Sequence, residues 1–193
     1  MTKTELIDAL DAKLKPMGLK RRKGQQEWIR KDGLTHHWIH INFGKYVINP
    51  SIGVKYLDLE KFRPPGNVTT ASVMLATLVA PRPSYTADSS INDLVHQIAE
   101  VGVPKLRELS NRPLVIEALQ ADEPSRWPVV SYSHRIRLLP LLLASEGRSP
   151  EALNLIRKFS QAEVMDQLLP VYEEFCSWWE EKFGLNKYVE GSR

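Results

Sequence analysis

Three closely spaced histidines, His36, His37 and His40, are the side chains in this sequence most able to do chemistry. Imidazoles hold zinc when three or four ligands converge on one point. In an extended strand successive side chains alternate, so His36 and His40 share one side, Trp38 stands between them and His37 points the other way. A metal there would need more ligands from a neighbouring strand, where Asn49 and Ser51 are poor zinc donors, so no metal and no other cofactor is expected. The single thiol, Cys176, sits beside Trp178 and Trp179 with no flanking cation, which reads as a buried, unactivated cysteine. The signatures G-x-S-x-G, H-E-x-x-H, a Walker loop and G-x-G-x-x-G are all missing from the sequence. A non-enzymatic protein is the expectation.

The histidines fall within residues 18–56, which read as a four-stranded antiparallel meander. Gly24-Gln25, Asp32-Gly33 and Gly44-Lys45 supply the residues that two-residue hairpin turns need. Those turns predict Phe43 opposite Tyr46, Ile41 opposite Ile48, Ile39 opposite Pro50 and His37 opposite Ile52, with Trp28 also across from His37. One side of the sheet is then apolar. The other side collects Glu27, His36, Trp38, His40, Asn42, Asn49 and Ser51, with Val47 and Gly53. This polar face is either covered by the C-terminal helices or open. If open, a central tryptophan among polar side chains suits a protein-binding hot spot or, equally, a small-ligand cleft.

The elements around the meander follow from spacing and punctuation. Leu6, Ile7, Leu10 and Leu14 predict a helix over 3–15, stopped by Pro16 and Gly18. Pro64-Pro65-Gly66 breaks the chain, and the apolar run Ala71–Ala80 is read as a fifth strand, with a helix as the alternative. After the Arg82–Ser89 loop the pattern is helical. Ser90 and Asp93 cap a helix that buries Ile91, Leu94, Val95 and Ile98 and is expected to end at Gly102. Short helices follow at 104–110 and 113–121, then a hairpin of Ser133–Glu146 and Pro150–Ser160 turned at Gly147. A last helix over 162–183 carries Met165, Leu168, Tyr172, Phe175, Trp179 and Phe183 on one face, with a kink expected at Pro170.

With 42% hydrophobic and 25% charged residues the 193-residue chain is ordinary globular material, expected to form one compact domain: a helix plus sheet over 1–85 and a helical part over 86–193. One cysteine rules out an internal disulfide, no secretory signal opens the chain, and Leu138–Ala144 is too short to span a bilayer. A cytoplasmic protein with no membrane contact is the expectation. The net charge of +3 is uneven, because residues through Arg63 hold thirteen Lys/Arg against seven acids, +6, which leaves −3 for the rest. The run Lys20-Arg21-Arg22-Lys23 reads as a solvated sheet edge in preference to a nucleic-acid contact.

Several motifs resemble a known family. These are Leu14-Lys15-Pro16-Met17-Gly18-Leu19-Lys20-Arg21, then Trp28-Ile29-Arg30, Trp38-Ile39-His40-Ile41-Asn42-Phe43-Gly44 and Ile48-Asn49-Pro50-Ser51-Ile52-Gly53-Val54. Together with Ile91–Leu109 and Leu139–Leu155, they are similar to the bacterial domain-of-unknown-function 4304 family over residues 5–160. The resemblance implies an N-terminal helix, a basic strand, an aromatic strand and an Asn-containing strand, and it implies no catalytic residue. By analogy with small α+β proteins of toxin–immunity neighbourhoods, the expected role is a protein-binding module such as an immunity or accessory factor. The fold class expected is α+β: an N-terminal helix on a four- to five-stranded antiparallel meander, followed by a helical C-terminal half. The expected partner is another protein. Small-ligand binding or catalysis on the polar face, and nucleic-acid binding through the basic strand, are the alternatives.

Overall fold

The computed structural model describes residues 2–79, 81, 83–129, 131–161 and 168–184. The fold is α+β, with an N-terminal helix, a five-stranded antiparallel sheet and a helical C-terminal half. The chain divides into two compact units, Met1–Lys55 with Ala71–Leu114 and Tyr56–Thr70 with Val115–Arg193. No helix among the described residues is long and apolar enough to cross a membrane.

In the first unit, helix α1 (Lys3–Leu14) begins with a reciprocal cap. Thr2 Oγ1 accepts from the Glu5 N–H (3.2 Å) and Glu5 Oε2 accepts from the Thr2 N–H (2.7 Å), satisfying two otherwise orphaned donors. Its stripe of Leu6, Leu10 and Leu14 is fully buried, and Gly18 ends the following 3-10 turn at φ 81°. The strands run in chain order, β1 (Lys20–Arg21), β2 (Glu27–Asp32), β3 (Thr35–Phe43), β4 (Ile48–Tyr56) and β5 (Thr70–Met74). The apolar run after Thr70 is therefore a short strand followed by a 3-10 turn at Leu75–Thr77, while Ala80 and Arg82 lie outside the described residues.

Register differs from the expectation at two joints. Asp32 pairs with Thr35, so the turn between β2 and β3 is Gly33-Leu34 and not Asp32-Gly33. Gly33 takes φ 57° and Leu34 does not, the pattern of a type II′ turn with glycine first. Trp28 consequently pairs with Ile39, and the partner of His37 is Arg30, not Trp28. At the next joint Gly44 N–H donates to Val47 O (2.9 Å), which moves the tip to Lys45-Tyr46. Between β1 and β2 the predicted register holds, but the connection is wider, with Arg22 N–H bonded to Glu27 O and Gly24 at φ 72°.

The β2–β3 slip moves each cross-strand partner by two residues, an even number, so every side chain keeps its face. Thr35, His37, Ile39 and Ile41 of β3 and Ile48, Pro50, Ile52 and Val54 of β4 are buried. Helix α1 packs against β1 and α3 (Val103–Ser110) against β3, while α2 (Ile91–Gln97) packs on α1 and is joined to α3 by a π turn at Ile98–Gly102. Gly102 therefore does not end a helix as expected. Pro104 has no N–H for an α-helical bond, and the chain crosses this point with the Val103 N–H donating to Ile98 O. Gly102 lies close to the sheet, where a Cβ would touch Ile52 (3.5 Å) and Leu75 (3.6 Å).

A buried polar chain joins the layers. Arg30 Nη2 lies 3.0 Å from His37 Nδ1, and His37 Nε2 lies 2.6 Å from Ser110 Oγ, whose hydroxyl donates to Leu106 O (2.8 Å). A guanidinium can only donate, so Nδ1 accepts, Nε2 carries the proton and the imidazole is neutral. Arg30 Nη1 also donates to Met17 O (3.0 Å), fixing the exit from α1.

In the second unit, α4 (Arg112–Gln120), which starts just before the division, leads into the antiparallel pair α5 (Tyr132–Ser145) and α6 (Ser149–Gln161), with Gly147 in the turn at φ 77°. Ser131 caps α5. Arg135 stacks over Trp127 at 4.2 Å and donates to Leu119 O (2.6 Å), holding the α4–α5 connection. Helix α7 (Leu169–Phe183) carries Pro170 in its first turn instead of being kinked by it, because a proline there lacks only an N–H that would be unpaired anyway. Met165 and the predicted helix before residue 168 lie outside the described residues. Cys176 on α7 is half-buried, 3.8 Å from Ser160 Oγ, and burial pushes its pKa up.

Gly33→Val should destabilise the fold by more than the ~1 kcal/mol typical of a point change and so lower the urea midpoint, whereas Leu34→Asn at the next turn position should leave the midpoint in place. Equal midpoints would refute the type II′ turn. The pH dependence of stability also has a definite sign. Burial, and then the Arg30 charge, holds His37 below its ordinary 6.5. The unfolded chain therefore binds a proton that the folded state resists, so stability is complete above pH 6.5 and is lost as pH falls through the lowered folded value. His36 and His134 shift in the same direction through burial. Urea titrations at pH 7.5 and 5.0 should show this loss, and His37→Gln should diminish it.

Candidate functional site

The outer face of the sheet carries all the residues that alternation assigned to it. His40, Asn42 and Asn49 are exposed, and Glu27, His36, Trp38 and Ser51 are half-buried. Cross-strand pairs order them: Glu27 lies opposite His40, Ile29 opposite Trp38 and Lys31 opposite His36. Ile29 and Lys31 were missed in the sequence reading, although alternation from Glu27 along β2 puts both on this side. The tip of the β3–β4 hairpin adds Tyr46 and Val47, which are 72% and 37% exposed.

Trp38 is seated on a neighbouring strand. A Cβ at Gly53 would lie 2.3 Å from Cζ2 of the Trp38 ring, 2.6 Å from Cε2 and 2.8 Å from the Ala71 carbonyl oxygen. No other residue leaves room for the indole to cross β4 towards β5, and the ring covers backbone that a side chain would otherwise shield. Trp38 is thus fixed at the centre of the face by packing.

Charge flanks the indole on both sides, with Lys31 opposite His36 and Glu27 opposite His40. Burial lowers the pKa of His36, opposed by Glu27 and assisted by Lys31, Lys55 and Arg22, so the imidazole is neutral at pH 7. Glu27 is itself paired with Arg22 at 3.2 Å. The face therefore offers hydrogen-bonding groups, His36, His40 and Ser51, near one indole, with Glu27 and Lys31 in the flanking rows and Asn42 and Asn49 towards the β3–β4 hairpin. His37 is on the opposite face, fully buried and already bonded at both nitrogens. Among the described residues no three His, Cys, Asp or Glu side chains are placed to hold a metal ion.

The chain matches no family model, no curated protein and no solved structure.

Gly53→Ala should cost about 1–3 kcal/mol, the range for forcing volume into a packed site. In a Trp38→Ala background the same substitution should cost less, since only the Ala71 carbonyl then opposes the methyl. Equal costs in both backgrounds, read from urea midpoints, would contradict the stacking.

Proposed function

We propose that this protein is a non-enzymatic protein-binding module that engages its partner through the outer face of the sheet. The supporting observation is a packed, half-buried Trp38 with Ile29 alongside and exposed His40, Asn42 and Asn49 running from it towards the β3–β4 hairpin. A packed aromatic side chain flanked by polar and charged groups is a composition that suits an interface anchor. Rigidity helps binding, because little side-chain entropy remains to be lost when the indole meets a partner. The motif resemblance to the domain-of-unknown-function 4304 family is the ground for a bacterial origin, and the single cysteine fits a cytoplasmic setting. The role as an immunity or accessory factor rests on the analogy with small α+β proteins of toxin–immunity neighbourhoods.

Asn42→Arg and Asn49→Arg test the reading without disturbing the core, since both side chains are exposed. Each should keep the wild-type urea midpoint yet lose the protein that co-purifies with tagged wild type from the native host. Ile41→Ala, on the buried face, should instead cost roughly 2–5 kcal/mol. Retention of the partner by both arginine variants would refute the assignment of the interface to this face.

A further inference from the structure

We infer that a groove between the C-terminal end of α1 and edge strand β1 binds a small anion carrying clustered phosphate groups. The groove has a volume of about 440 Å³ and is lined by Asp11, Lys15, Leu19, Lys20, Arg21, Arg22, Lys23 and Gly24. Its only acid, Asp11, is fully engaged: Oδ1 accepts from Trp28 Nε1 (2.7 Å) and Oδ2 from Arg21 Nε (2.9 Å). Asp11 therefore orients Arg21 and offsets one charge, leaving the other nitrogens of that guanidinium for a ligand. Arg22 is paired with Glu27. Lys15, Lys20 and Lys23 have no acidic partner among the described residues.

Protection of a sheet edge requires charges along the strand alone. Here Lys15 arrives from the helical side and Arg21, across from the buried Trp28, from the strand's inner side, with Leu19, only 1% exposed, also in the lining, so these two cations gather about a volume. Lys20, opposite Ile29, stands on the strand's outer side at the edge of the groove. That volume falls within the range of small-molecule sites, roughly 300–1,000 Å³. Balancing several cations inside it takes a ligand of high charge density. A phosphate carries about −1.5 to −2 at neutral pH, against −1 for a carboxylate, and suits both the ammonium groups and the guanidinium fork. Gly24 at the rim has no atom within 4 Å of where a Cβ would stand, so the mouth is open on that side.

Sodium tripolyphosphate is the probe, titrated calorimetrically into the full chain at low ionic strength. Saturable binding is expected. The combined Lys15→Ala, Lys20→Ala, Lys23→Ala variant should weaken it by roughly tenfold or more, about 1.4 kcal/mol, while Lys158→Ala, an exposed lysine outside the groove, should not change it. Lys23→Glu alone, at an exposed turn position, should also weaken binding and serves if the triple variant does not fold. Absence of binding, or binding indifferent to these lysines, overturns the proposal. Citrate binding as tightly as tripolyphosphate overturns the assignment of phosphate chemistry. A single-stranded oligonucleotide that displaces tripolyphosphate at lower concentration overturns the small-ligand assignment in favour of a nucleic-acid surface.

Discussion

The hydrogen-bonded chain from Arg30 through His37 to Ser110 is the interaction on which the first unit depends. It joins three segments far apart in sequence: the exit of α1 through the Met17 carbonyl, the β2–β3 hairpin, and the end of α3. His37, fully buried, is held at both ring nitrogens, so the loss of Arg30 or Ser110 would strand one of them, at about 1–3 kcal/mol for a buried polar group left without a partner. Apolar contacts alone would let α3 slide along the sheet with small changes in buried area. A directional polar chain permits one position. The sheet is thereby held flat against its helices on one side, and the opposite side is presented as a fixed surface.

That surface has its own constraint, the absence of a side chain at Gly53. The indole of Trp38 occupies the space where a Cβ would stand, and it sits beside Ile29 on the neighbouring strand. An outer sheet face would ordinarily need no large aromatic group. Here the aromatic residue is immobilised, and the exposed polar residues run from it towards the β3–β4 hairpin.

The sequence made the layers legible because they rest on parity and punctuation. Alternation along β3 and β4 assigned each side chain to its face, and the assignment survived a register error since the error was even. Turn position was less legible: Asp32-Gly33 and Gly33-Leu34 both contain the glycine that a primed turn needs, and only the strand pairing decides between them. The π turn was not legible at all. Gly102 and Pro104 resemble a stop signal, yet packing against Ile52 and Leu75 carries the helical path through them. The polar role of His37 was hidden for a related reason, because its partner Ser110 is 73 residues away.

The π turn at Ile98–Gly102 has a consequence for the phase of everything after it. An α-helix advances about 100° per residue, and a π turn accommodates one residue more than the α-helical path would. Removing a single residue from this turn would take out the extra step, and α3 would rotate by about that angle about its axis, with Pro104 still interrupting the hydrogen-bond ladder. Ser110 would then swing away from His37, and Leu106 and Leu109 would leave the positions at which they are now buried. The extra residue acts as a phase shifter. It lets one continuous helical path turn one side to α1 before Pro104 and the correct side to β3 after it.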